Sequence, residues 1–348
     1  MRAVAWARAN LFGSIASSLT TLLLLAMLFW AGSAFFDWAV LDAVWHAHDM
    51  RGCHAAGDGA CWAFIHEKWR FILFGRYPYE EQWRPALTVV LLIAATSLSM
   101  VPRLWGRWLL AFWPLVLVVS SLLMSGGVAG LPYVPDDLWS GLPMTLILAL
   151  FSMVLAFPLA VLLALGRRSR LPVLRMVSTG FIELVRGIPL LTILFMASLL
   201  LPLFLPAGFV IDKPLRALVG LTLFLAAYQA EDVRAGLQAL PRGQVEAADA
   251  LGLGHWQKLR FIILPQAITA VIPPLVGNLI GDFKSTALVS IISLFDLMQT
   301  TTIALADPNW RGLTGEAYLF TASIYFVFCF AMSRYSQWLE RRLARGRR

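Results

Sequence analysis

Long apolar runs alternate with short polar connections along this chain, and the lengths of the runs set its class. Crossing the hydrocarbon core of a bilayer as a helix takes about 20 apolar residues, within a range of about 17–25. Runs of this kind lie at approximately 11–36, 85–102, 108–126, 139–165, 176–206, 214–235, 265–294 and 316–337, which predicts eight transmembrane helices. The fifth and seventh contain charges and prolines, so they are expected to be kinked or partly unwound.

One stretch breaks the alternation. Residues 243–267, "GQVEAADALGLGHWQKLRFIILPQA", turn polar, charged and glycine-punctuated between two apolar runs. Pro241 suits the first turn of a helix, where its missing N–H has no intrahelical partner. Glu246, Ala247, Ala248, Asp249, Ala250 and Leu251 are mostly good helix formers. Gly252 and Gly254 suit the left-handed position that ends a helix. The pattern predicts a short helix, too short and too polar to span a bilayer. Its alanine face permits close approach, Leu251 and Leu253 are apolar knobs, and Glu246 and Asp249 place charges at the rim. Two readings stand: an element that docks into a partner's groove, or a connecting helix lying on the membrane surface.

Composition agrees with the spans. The 348 residues are 59% hydrophobic and 14% charged, with a mean hydropathy of +0.73, whereas soluble domains carry about 25% charged residues. The chain therefore reads as an all-α polytopic membrane protein. Its first apolar run is too long for a signal-peptide core and has no clear cleavage site, so it is expected to be retained as a span.

Net charge adds an orientation. The formal charge is +8, but the basic residues sit in short clusters between spans, ending with five arginines in the last ten residues. This pattern orients a membrane protein and does not point to nucleic acid. A cytoplasmic amino terminus puts 18 Lys and Arg on the cytoplasmic side and 8 on the other, with Arg186 and Lys284 inside spans. Both termini and the polar stretch then face the cytoplasm, and residues 37–84 form an external loop.

That loop holds Cys53 and Cys61. In an oxidising compartment they form a disulfide or remain two free thiols. The spacing of His46, His48, His54 and His66 matches no ligand pattern, so no metal site is expected. Cys329 reads as a small packing residue in the last span. Trp30, Trp105, Trp108, Trp139 and Trp338 fall near span ends, where interfacial aromatic belts form.

"EAADALGLGHWQKLRFIILPQA" resembles the EAA loop of binding-protein-dependent ABC importers, with Glu246, Ala247, Ala248, Gly252 and the closing Ile263, Leu264 and Pro265 in place. The flanking "ELVRGIPLL", "AYQAEDVRAGLQALPRGQ", "ILPQAITAVIPPLVGNLI" and "KSTALVSII" are similar to the polar amino-acid branch, the histidine/glutamine/arginine permease type. The chain departs from that pattern at Ile188, where Thr is usual, and at Ala287 in the motif opened by Lys284, Ser285 and Thr286. The resemblance covers residues 138–345 and implies the type I ABC importer fold: a five-span core with an external amino end and a coupling loop at 236–264. Residues 1–137 are then a three-span extension, a layout resembling the longer permeases of general L-amino-acid import systems.

The resemblance further implies a role for the polar helix. It would be the coupling helix, seated in a cleft of a cytoplasmic ATPase subunit, with Glu246, Ala247, Ala248 and Gly252 as the coupling residues. The implied partners are two such ATPases, which use ATP and Mg, a second permease subunit (a paralogue or another copy), a periplasmic amino-acid-binding protein, the amino-acid cargo and membrane lipid. The chain carries no Walker-type glycine loop. It is therefore expected to bind no cofactor and to have no catalytic site of its own.

Ionisable groups within spans are costly and usually face a bundle interior or a water-filled path. Glu183 and Arg186 are three residues apart and are expected to pair on one helix face, while Gly187 and Pro189 should interrupt that helix and free backbone groups. Tyr228, Glu231 and Arg234 follow on the next span, and Asn278, Asp282 and Lys284 on the seventh. Glu183, Arg186, Gly187, Pro189, Tyr228, Asn278 and Lys284 are the candidates for a pathway that offers an amino acid both a cation for its carboxylate and acceptors for its ammonium. The competing reading makes the charged members structural pairs; for Glu231 and Arg234 it is the preferred one. A carrier or channel driven by an ion gradient would use similar buried charges but has no need of the polar helix. An intramembrane enzyme would need a catalytic constellation inside the spans, and no His falls in one.

Overall fold

The computed structural model describes residues 2–128, 130–204, 206 and 211–345. In chain order the helices are α1 (Arg2–Leu11), α2 (Ile15–Phe36), α3 (Met50–Ala56), α4 (Trp62–Phe74), α5 (Trp83–Ser99), α6 (Leu109–Ser125), α7 (Leu142–Arg167), α8 (Pro172–Gly187), α9 (Leu190–Phe195), α10 (Lys213–Gln238), α11 (Arg242–Ala250), α12 (His255–Lys258), α13 (Leu264–Ser285), α14 (Leu297–Ala304) and α15 (Thr314–Arg345). Two short strands, β1 (Ser140–Gly141) and β2 (Phe295–Asp296), pair in parallel.

Among the described residues, four helical segments are long and apolar enough to cross a membrane: Ile15–Leu41, Leu142–Arg167, His255–Ile292 and Thr314–Leu343. A fifth is the bent pair Pro172–Gly187 and Leu190–Phe204, whose halves turn by 108°. The other predicted spans are α5 and α6, of 17 residues each and so at the short limit, and α10, a 26-residue helix diluted by Arg216, Glu231, Asp232 and Arg234.

Several boundaries shift from the sequence expectation, and two of the shifts have a clear local cause. The first span begins at Ile15, not 11, because Ser14 caps it: the Ser17 N–H donates to Ser14 Oγ at 3.1 Å and the Ser14 N–H to Ser17 Oγ at 2.9 Å. This reciprocal cap satisfies two amides that the helix start leaves open. The seventh begins at His255, because α12 continues through a π-helical turn, Leu259–Ile263, into α13. The expected kink in the fifth is present. Pro189 drives Ile188 out of the helical region, α8 ends at Gly187, and Pro189 becomes the N-cap of α9.

The chain forms two compact units, one comprising residues up to Trp69 with Leu305–Phe320, the other Arg70–Ala304 with the chain from Thr321 on. In the first, the segment expected as an external loop is folded into helices. Cys53 and Cys61 are joined as a disulfide, with Cα atoms 5.9 Å apart. The Cys61 N–H donates to Glu316 Oε1 at 3.0 Å, Phe64 packs on the buried Trp310 at 5.9 Å between ring centroids, and Lys68 pairs with Asp307 at 2.7 Å. The apolar residues of α2 are not buried in this unit, and the disulfide and aromatic burial hold the segment that follows it.

The second unit is built on α7. Ala156, Ala160 and Ala164 of α7 are fully buried in clusters that also contain Ala226, Ala230 and Val233 of α10. Small residues let the two helices approach closely, which is the main source of packing energy where lipid is as apolar as the interface. Gly236 serves the crossing of α10 over α13. A Cβ there would sit 2.8 Å from the Ala267 carbonyl oxygen. Arg84 is fully buried and donates to the carbonyls of Leu123 at 2.7 Å and Pro132 at 2.9 Å, placing a cation at the carbonyl end of α6.

A candidate coupling helix and translocation pathway

The polar stretch folds as α11, a turn, and α12. Pro241 is the N-cap residue, one position before the helical turn expected for it. The helix closes where Gly252 adopts φ +72°. Two bonds complete the closure: the Leu253 N–H donates to the Ala248 carbonyl at 3.1 Å and the Gly252 N–H to the Asp249 carbonyl at 2.9 Å. Together they satisfy carbonyls that the helix end leaves free.

The faces of α11 are unequal. Glu246, Ala247 and Gly252 are exposed, whereas Ala248 is buried. Asp249 pairs with Lys258, tying α11 to α12, and the Gly254 N–H donates to Gln257 Oε1 at 3.0 Å where α12 starts. Leu251 is 77% exposed and Trp256 76%. Large apolar groups this exposed on a polar segment are available to a protein partner or to the membrane surface. Trp256 was not singled out by sequence reasoning, although an aromatic residue within a polar stretch is a legible signal.

Five charged residues gather at one place, on helices that sequence spacing does not connect. Arg167, at the end of α7, lies 2.8 Å from Glu183 of α8 and donates to Glu231 of α10 at 2.5 Å. Arg234 donates to the other oxygen of Glu231 at 2.8 Å, and Arg186 reaches it at 3.9 Å. The expected Glu183–Arg186 pair is therefore corrected: each residue binds a partner on a neighbouring helix. Tertiary packing brings Arg167 and Glu231 between them, and Arg186 also lies 5.5 Å over the Tyr228 ring, a cation–π distance.

A second polar contact joins α10 to α13, where Asn278 donates to Asp232 at 2.5 Å. Asp282 is buried, and it accepts from Ser152 of α7 at 2.9 Å. Glu183, Arg186, Tyr228 and the flanking Gly187 and Pro189 thus sit around the bend between α8 and α9. Asn278 belongs to the Asp232 contact, and Lys284 is exposed on α13 outside both groups. Arg167, Asp232 and Ser152 are the participants that sequence reasoning did not assign. Among the described residues no three His, Cys, Asp or Glu side chains form a group able to hold a metal ion.

Comparison with known proteins places this architecture. Residues 156–345 match the family described as the binding-protein-dependent transport system inner membrane component. The chain is 46% identical, over 99% of its length and 94% of the relative's, to YhdY of Escherichia coli K12, an inner membrane amino-acid ABC transporter permease protein. It is 39% identical, over 99% of its length and 95% of the relative's, to BztC of Rhodobacter capsulatus, a glutamate/glutamine/aspartate/asparagine transport system permease protein. Among solved structures, an amino acid ABC transporter with histidines superposes with a TM-score of 0.52 at 34% identity, covering 58% of this chain and 92% of that one. The chain belongs to the family of binding-protein-dependent transport system inner membrane components, and it is a non-catalytic, membrane-spanning permease subunit of an ABC transporter.

Proposed function

We propose that this subunit carries polar or general L-amino acids inward by alternating access, driven through residues 236–264 by separate ATPase subunits. The observation that carries this reading is α11 itself. It presents Glu246, Ala247 and Leu251 outward, closes at Gly252, is tied across the Leu251–Gly254 turn to α12 by the Asp249–Lys258 pair, and α12 runs through the turn at Leu259–Ile263 into α13. A rigid element of this kind transmits displacement. Motion of a partner that grips α11, with Trp256 as a further apolar anchor, reaches α13 and the contacts that Asn278 and Asp282 make with α10 and α7. The amino-acid cargo is supported by the names of the similar proteins.

The family implies ATPase and binding-protein partners in general. The arrangement proposed is two cytoplasmic ATPases binding ATP and Mg, a second permease subunit, and a periplasmic amino-acid-binding protein. Both termini lie on the cytoplasmic side, residues 138–345 act as the permease core, and residues 1–137 are an extension to it. Arg186, with Tyr228 beside the bend at Gly187 and Pro189, offers a site for a carboxylate. Glu183, Asn278 and Lys284 complete the candidate pathway. Glu231 and Arg234 serve structure.

The test is to purify the tagged chain from its native membrane in mild detergent, identify what accompanies it, and measure ATP hydrolysis as amino acids and binding protein are added. An ATPase subunit, a second permease and amino-acid-stimulated hydrolysis are expected. A stable complex without an ATPase would overturn the coupling role and bring the ion-gradient reading forward.

A further inference from the structure

Several arginines of this protein have defined partners. Arg167, Arg186 and Arg234 are each matched to a carboxylate, and Arg84 to carbonyls and Glu81. At one end of the second unit, Arg103, Arg107, Arg341 and Arg342 make no salt bridge among the described residues, and all are exposed. They come from segments far apart in sequence, the α5–α6 connection and the end of α15. The fold joins the two segments at one contact, where Tyr335 of α15 donates its hydroxyl to the Met100 carbonyl at 2.9 Å, and Arg341 and Arg342 follow about 9–10 Å further along the helix.

Aromatic residues frame the same place. Trp105 folds back on α5, its indole N–H donating to the Ser99 carbonyl at 2.9 Å. Tyr335 stacks on Trp338 at 5.7 Å, and the Arg342 guanidinium lies 5.3 Å over the Trp338 ring. Arg341 spends one N–H on the Gln337 carbonyl at 3.0 Å, leaving its others free. Glu340 is the single carboxylate of this part of α15, so the net charge stays positive.

We infer that the α5–α6 connection and the end of α15 together form a binding site for the phosphate headgroup of an anionic phospholipid. Tryptophan rings prefer the depth of the headgroup boundary. Guanidinium groups bind phosphate oxygens through paired N–H donors, and basic clusters between transmembrane helices at that depth recognise anionic headgroups. The lipid would clip the α5–α6 pair to α15 beside the Tyr335–Met100 contact.

The test uses the full chain in its purified complex, analysed by native mass spectrometry after exchange into neutral detergent with phosphatidylglycerol, cardiolipin or phosphatidylcholine. Anionic lipid is expected to stay bound, phosphatidylcholine to be lost, and the quadruple variant R103Q/R107Q/R341Q/R342Q to retain at least about tenfold less anionic lipid. R168Q/R170Q, at the α7–α8 connection, is the control and should retain it. If the quadruple variant does not assemble, R342Q alone is read the same way and should lower retention severalfold. Equal retention by variant and parent, or equal loss in the control, overturns the site. Displacement of the lipid by millimolar inorganic phosphate would make it a small-anion site and overturn the lipid assignment.

Discussion

Arg167, at the end of α7, donates to Glu231 of α10 at 2.5 Å, while its second terminal nitrogen lies 2.8 Å from Glu183 of α8. One cation thereby holds three helices. Its two acidic partners are not equivalent, because the Glu231 side chain is 16% exposed and that of Glu183 57%. Glu231→Gln leaves Arg186 and Arg234 without a carboxylate partner and Arg167 with Glu183 alone, and is expected to destabilise the protein by about 3 kcal/mol. Glu183→Gln should cost only about 0.5 kcal/mol, as exposed pairs do. Thermal unfolding of the detergent-purified variants checks both, and equal losses would disprove the ranking.

Arg186 separates pathway from scaffold. Its reach to Glu231 is long, 3.9 Å, and its other contact is the Tyr228 ring. Arg186→Ala should therefore lower amino-acid uptake far more than the amount of protein in the membrane. Parallel loss of both would make Arg186 structural.

Gly252 tests the coupling helix. Its φ of +72° suits glycine, and a Cβ there meets nothing within 4 Å, so substitution strains the backbone without a clash. Gly252→Val is expected to cost about 1–3 kcal/mol locally and to leave ATP hydrolysis running while uptake falls. Gly243 lies within α11 and also faces open space. Gly243→Ala should be neutral or stabilise the helix by about 0.5–1 kcal/mol. Wild-type uptake by Gly252→Val would remove α11 from the coupling role.

The Cys53–Cys61 link closes a short loop with a sequence separation of 8. Chain-entropy reasoning gives such a bond about 2–3 kcal/mol. Thiol reagents added without reductant should leave both cysteines unmodified. Cys61→Ser should raise hydrogen exchange across α3 and the first turn of α4, and unchanged exchange would show that Phe64 and Trp310 hold this unit unaided.

Acid sensitivity of the same unit is expected at Asp307. Its hydrogen bond with Lys68 holds the carboxyl below the usual aspartate range, helped by the Asn309 N–H. A lowered folded-state pKa stabilises the folded form above the unfolded value of about 3.9, and that contribution is lost as pH falls through the lowered value. Exchange protection around Lys68, corrected for intrinsic rates, should fall on acidification below about pH 4. Asp307→Asn should remove this acid step, and its persistence in the variant would place the titrating group elsewhere.

The sequence alone determined the class, the spans, the interruption at Gly187–Pro189 and the short helix ended by Gly252. Each depends on local properties: the length of an apolar run, the fixed φ of proline, the left-handed freedom of glycine. Tertiary structure decided the partners. Spacing places Glu183 beside Arg186, but Arg167 is brought between α8 and α10 by the alanine packing of α7 on α10, where it pairs with both Glu183 and Glu231. Ser152 and Asp282, like Tyr335 and Met100, meet only because distant segments pack together. The folding of residues 37–84 into helices was likewise illegible, since its order rests on Trp310, Glu316 and Asp307, contributed from more than two hundred residues further along the chain.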